Sequence, residues 1–184
     1  MASSSEKFNR NYQLDQIPNN SKKGYKNVYT YIGDYYTWDL KAVEIKNIRL
    51  TFFILEIATI IIFLYTSLQH GVLNSVPVVV IPALLSLIAW IFEIIAIFFF
   101  CFFKLPLKEE DHSRIHSTFF ITFALRFILL FFSCIASIIV KFQLNLDAGE
   151  LLTSFGYLIC SGISAILWRR YKYIDLYKKI IMRN

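Results

Sequence analysis

The chain has 184 residues, of which 57% are hydrophobic and only 17% charged, with 18 Phe and 11 Tyr. Mean hydropathy is +0.53, and a soluble domain, in which about half the residues are apolar, could not bury so much apolar surface. The net charge of +6 on such a chain reports membrane orientation before anything else, so a nucleic-acid partner is set aside.

Residues 1–24 are polar, rich in Ser, Asn, Gln and Lys, and are expected to form a disordered cytoplasmic tail. The first apolar run starts only near Leu50 and the second residue is Ala2, so neither a cleavable signal peptide nor an N-myristoylation pattern is expected. Asn19-Asn20-Ser21 has the spacing of a glycosylation acceptor, but the expected topology puts it on the wrong side. Residues 25–49 are expected to lie at the membrane surface. In them, two β-forming runs flank Gly33-Asp34, which suits a two-residue hairpin. Five tyrosines and Trp38 would hold that hairpin among the headgroups or offer a patch to a partner. Asp39 is placed to cap a short amphipathic helix carrying Leu40, Val43, Glu44 and Ile48, running directly into the first span.

Four apolar stretches follow, at 50–68, 78–103, 117–140 and 151–168. Crossing the hydrocarbon takes about 20 residues, so each is long enough. Pro82 is a place where the second could kink. Short connections between spans favour an antiparallel bundle. The expected fold is therefore an all-α membrane protein: an antiparallel four-transmembrane-helix bundle behind a short aromatic N-terminal segment, with residues 169–184 as a basic tail. Eight Lys and Arg precede the first span, three lie between the second and third, and six follow the fourth, whereas the other two loops hold only Lys141. Seventeen against one places both termini in the cytoplasm and the protein in the cell membrane.

Three ionisable residues interrupt the spans: Glu56, Glu93 and Arg126. At a rise of 1.5 Å per residue they lie roughly 9, 15 and 13 Å from the cytoplasmic end, all in the inner half of the bilayer. One guanidinium between two carboxylates at that height would join three helices. Such a cluster could pin the helices, carry protons or cations, or meet a partner's charge. On the fourth span Gly156, Cys160 and Ser164 recur every four residues, a face that allows close helix approach. Ser133 and Ser137 offer a matching face on the third, and packing within the chain is favoured over homodimerisation. The cysteines Cys101, Cys134 and Cys160 fall in apolar segments, as small packing residues do.

No catalytic or cofactor pattern emerges. Gly162-Ile163-Ser164 has a Gly-x-Ser spacing, yet no span holds a histidine to activate Ser164. Glycine-rich phosphate loops and the His-Glu-x-x-His pattern are missing, so no cofactor is expected. His112 and His116, near Glu109, Glu110 and Asp111, are the weak candidate for a divalent metal or for an enzyme at the cytoplasmic face. A solvated loop capping the third span is the plainer expectation. A glutamate in the first of four spans also suggests small multidrug transporters, but Ile54-Leu55 precedes Glu56 where that family has small residues, and the charge bias here is strong. The box Tyr31-Ile32-Gly33-Asp34-Tyr35-Tyr36-Thr37-Trp38 ahead of four spans resembles that of uncharacterised small membrane proteins of low-GC Gram-positive bacteria. That resemblance implies a four-span fold and no activity. The expected role is a non-enzymatic accessory or assembly subunit. Its partners would be the bilayer, anionic headgroups at the basic tail, and another membrane protein or a second copy. The alternative is a small transporter or oligomeric channel using the Glu/Arg cluster.

Overall fold

Leu, Ile and Phe dominate four stretches so heavily that only helices, which satisfy every backbone group internally, could carry them through lipid. The computed structural model describes residues 11–18 and 25–181. Its helices are α1 (Ala42–Ser67), α2 (Pro77–Phe102), α3 (Glu109–Gln143) and α4 (Leu151–Asp175). All four are long and apolar enough to cross a membrane. The sequence of residues 1–10 and 19–24, with the Asn19-Asn20-Ser21 acceptor and most of the expected disordered tail, lies outside the described residues, as do 182–184.

Neighbouring helices run antiparallel, as their contacts show. Along α3 and α4, Ser137 meets Ser154, Arg126 meets Ser164, and His116 meets Tyr171. Between α1 and α2, Glu56 meets Trp90 and Phe53 meets Phe102. Side chains such as Ile61, Ile91 and Ile128 point outward, well exposed, as befits a surface solvated by lipid tails. Two apolar clusters fill the interior. One gathers Phe52, Phe100, Phe119, Phe123 and Tyr171 with Trp38. The other gathers Phe63, Leu73, Val79, Trp90, Leu130 and Tyr157.

Helix ends explain several boundaries. α1 begins after Lys41, whose N–H donates to the Glu44 carboxylate at 3.0 Å, the reciprocal half of a capping box. Asp39 is therefore not the cap; it faces Lys179 at 3.8 Å instead. Pro77 opens α2, where its missing N–H costs nothing, and the helix continues unbroken through Pro82. At the far end of the bundle, Glu150 accepts the N–H groups of Val72 (2.7 Å) and Leu73 (3.3 Å). Asn74 donates to the carbonyls of Thr66 and Gln69, each at 2.9 Å. Both interhelical loops at that end are thereby tied together.

The other end carries more strand than the one hairpin expected beside the helical bundle. Among the described residues five strands form there: β1 (Tyr12–Pro18), β2 (Tyr25–Tyr31), β3 (Tyr35–Trp38), β4 (Leu107–Lys108) and β5 (Lys178–Ile181). β1 pairs antiparallel with β2, from Tyr12 opposite Tyr31 to Pro18 opposite Tyr25, so residues 12–18 of the expected disordered tail are a strand. β3 lies between β4 and β5. The expected hairpin across Gly33-Asp34 is absent, because β2 and β3 belong to different sheets. Tyr31 is the physical reason. Its hydroxyl donates to the Asp34 carbonyl at 2.8 Å and accepts the Glu109 N–H, the first of α3, at 3.0 Å. The folded-in phenol would sit 2.7 Å from a Cβ at Gly33, so the chain turns around the ring rather than pairing across it. Residues 169–181 of the expected basic tail are likewise folded: α4 extends to Asp175 and β5 folds back on β3.

Candidate functional site

Each helix contributes to a polar core. α1 supplies Glu56, α2 supplies Trp90 and Glu93, α3 supplies Arg126, and α4 supplies Ser164. The Arg126 guanidinium reaches three of them at once. One terminal nitrogen lies 3.1 and 3.3 Å from the two Glu56 oxygens, and the other lies 2.9 Å from Glu93 Oε1. Its Nε donates to Ser164 Oγ at 2.7 Å, and the Ser164 hydroxyl donates in turn to the Cys160 carbonyl at 2.9 Å. The planar fork of arginine suits this: a lysine could not serve three partners in fixed directions.

Trp90 completes the set. Its indole N–H donates to Glu56 Oε1 while its ring lies 5.4 Å from the guanidinium carbon, within range of a cation–π attraction. Arg126 and Glu93 are 0% exposed and Glu56 4%. The cluster is also closed above and below. On the sheet side, Phe52, Phe100, Phe119 and Phe123 stack with centroids 5.0–6.2 Å apart. On the far side, Phe63 stands edge-on to Trp90 at 5.2 Å.

The small-residue face of α4 meets α1. At Gly156 an added Cβ would overlap the Thr66 side chain, lying 2.8 Å from its Cβ and Cγ2. The Cys160 thiol lies 3.8 Å from the Thr59 carbonyl, and Ser164 joins the ion cluster. Ser137 donates to the Cys134 carbonyl and meets Ser154 Oγ at 2.7 Å, whereas the fully buried Ser133 hydroxyl has no partner among the described residues.

His112 and His116 are not in a loop; they occupy the first two turns of α3. Their rings stack 6.1 Å apart, and their nitrogens lie 3.9 and 3.6 Å from one oxygen of Asp175. Tyr171 OH sits 3.3 Å from His116, and Tyr36 stacks on His112 at 4.9 Å. Among the described residues no three His, Cys, Asp or Glu side chains are placed to hold one metal ion. Glu109 is turned to Asn11 instead, at 3.3 Å. Burial pushes the phenol of nearby Tyr31 above its ordinary range.

Sequence reasoning missed Trp90 and Asp175. Trp90 stands three residues before Glu93, hence on the same helix face, which was the available signal. Asp175 had none, since it lies beyond the expected end of the fourth span. No protein-family model, no curated protein and no solved structure matches the chain.

Proposed function

We propose that the protein is a non-catalytic integral membrane accessory or assembly subunit of the cell membrane, with both termini cytoplasmic and the Glu56–Arg126–Glu93 cluster acting as its internal lock. The observation that carries this reading is closure. Three charges contributed by three helices are buried, with a group of phenylalanines on the sheet side and Phe63 against Trp90 on the far side. A conducting site needs groups that can be reached and left; a lock needs buried charges held by opposite charge, as Glu56 and Glu93 are by Arg126. Every helix of the bundle meets at Arg126, so the cluster selects one helix register, as buried polar groups do in other helical assemblies.

The count of seventeen basic residues against one supports the cytoplasmic placement of the sheet end. That end also supplies the surface for a membrane-protein partner or a second copy. A second reading, a small transporter, draws on one specific feature: two carboxylates share a single guanidinium, so the cluster is not charge-balanced by its own side chains.

Reconstitution separates the two. Vesicles holding the purified protein should pass protons and monovalent cations no faster than empty ones. Glu93→Gln and Glu56→Gln should lower the melting temperature and leave flux alone. Flux well above empty vesicles, abolished by Glu93→Gln, would overturn the lock in favour of transport.

A further inference from the structure

Where α4 leaves the apolar bundle, the residues Ile166, Arg170 and Ile174 recur every four positions, with Arg169 and Tyr173 beside them. This face turns toward Ile48 of α1. Between the two helices lies a cleft of about 480 Å³ lined by these six side chains. The three isoleucines and the tyrosine ring make its walls largely apolar, and Arg169 and Arg170 line it beside them.

Neither arginine has an ion pair or hydrogen bond among the described residues. The acids nearby are already engaged: Asp39 faces Lys179 at 3.8 Å, Glu44 accepts the Lys41 N–H at 3.0 Å, and Asp175 lies 3.6 Å from His116. The cleft thus keeps two unneutralised positive charges beside an apolar trough. Depth supports a lipid occupant. Ser164 marks the level of the ion cluster, and Arg169 follows five residues later, about 7.5 Å nearer the sheet end. Trp168 and Tyr173 flank the arginines, and such rings gather at the boundary between hydrocarbon and headgroups.

We propose that this cleft binds one anionic phospholipid, its phosphate held by Arg169 and Arg170 and an acyl chain laid against Ile48, Ile166 and Ile174. Guanidinium groups hold phosphate oxygens in paired hydrogen bonds, and basic pockets between helices at a membrane surface are where such headgroups settle. A soluble phosphate would use the arginines and leave the apolar walls empty. The site requires only that α4 cross a membrane; it stands whether or not the bundle serves a partner, so its failure and that of the accessory role are separable.

The test uses the full chain, delipidated in an uncharged detergent and titrated with dioleoyl phosphatidylglycerol, dioleoyl phosphatidylcholine or sodium phosphate. Melting temperature and the mass of the intact complex are read together. Phosphatidylglycerol should bind one to one and raise the melting temperature, and the other two should not. The double variant Arg169→Gln/Arg170→Gln should melt like wild type without lipid yet bind phosphatidylglycerol roughly 30-fold more weakly, as expected for two surface cations. Ile166→Trp, which fills the trough and keeps both charges, should also lose binding. Lys104→Gln/Lys178→Gln removes equal charge elsewhere and should stay within about twofold of wild type. Equal weakening in that control would show diffuse attraction only and overturn the site. So would undiminished binding in Arg169→Gln/Arg170→Gln, or sodium phosphate matching the lipid.

Discussion

The two halves of the bundle handle polar groups differently. In the far half, the hydroxyls of α1 are satisfied within their own helix, where Thr59 donates to the Leu55 carbonyl at 2.7 Å and Thr66 to Ile62 at 2.8 Å, and Ser137 meets Ser154 between α3 and α4 without any charge. In the half nearer the sheets, Arg126, Glu56, Glu93 and Ser164 depend on one another across helices. Small residues then set how closely α1 and α4 approach in the far half, and ionic partners set the register in the near half. A helix that satisfies its own hydroxyls can slide past its neighbour. One tied into a shared guanidinium cannot.

The largest effect should come from removing the shared cation. Arg126→Leu leaves two buried carboxylates without a cation and should cost about 3–5 kcal/mol, measured by unfolding in mild detergent. The contrast sharpens if Glu56→Leu and Glu93→Leu are added, since an apolar triad of similar volume should recover most of that loss. A triple variant as unstable as Arg126→Leu would show that the cost lies in packing rather than in charge.

In the far half, Gly156→Ala should cost roughly 1–3 kcal/mol, because the new methyl meets Thr66. Adding Thr66→Ala should return part of it. Full tolerance of Gly156→Ala would mean α1 and α4 are free to separate there.

A smaller effect is expected at the sheet end. Tyr31→Phe removes the bonds to Asp34 and Glu109 and should cost about 1 kcal/mol. Because burial raises the Tyr31 pKa, its stabilising contribution is complete below the unfolded value and disappears as pH climbs through the folded one. Wild type should therefore lose stability more steeply than Tyr31→Phe above pH ~10. Parallel alkaline profiles would remove Tyr31 from that role. The smallest change is Ser164→Ala, at about 0.6 kcal/mol, the usual worth of one hydrogen bond between membrane helices; a larger loss would mean Ser164 also orients the arginine.

The four spans were legible because apolar length is local and additive. Residues 50–68 declare themselves without knowing what they touch, and the fixed rise per residue put Glu56, Glu93 and Arg126 at one depth. The strands were not legible in the same way. Tyr25–Tyr31 and Tyr35–Trp38 have β-forming side chains, but which edge each pairs with is decided by distant partners: Tyr12–Pro18 for one, Leu107–Lys108 and Lys178–Ile181 for the other. A glycine followed by Asp34 made the local hairpin the nearest solution, and a single phenol folded into that space removed it. His112 and His116 were likewise read as loop, because the six consecutive polar positions 109–114 hide a helix start whose support comes from Tyr36 and Trp38.

The sheet β4-β3-β5 sets an order on the making of the molecule. Its middle strand is translated before any membrane helix, and one of its neighbours only after the last. With about 140 positions between Trp38 and Lys178 and synthesis at ~5–20 residues per second, that edge of β3 stands open for roughly 7–28 s. The last helix is therefore made before the cap can shut, and closure of the sheet is a late event that reports a completed bundle.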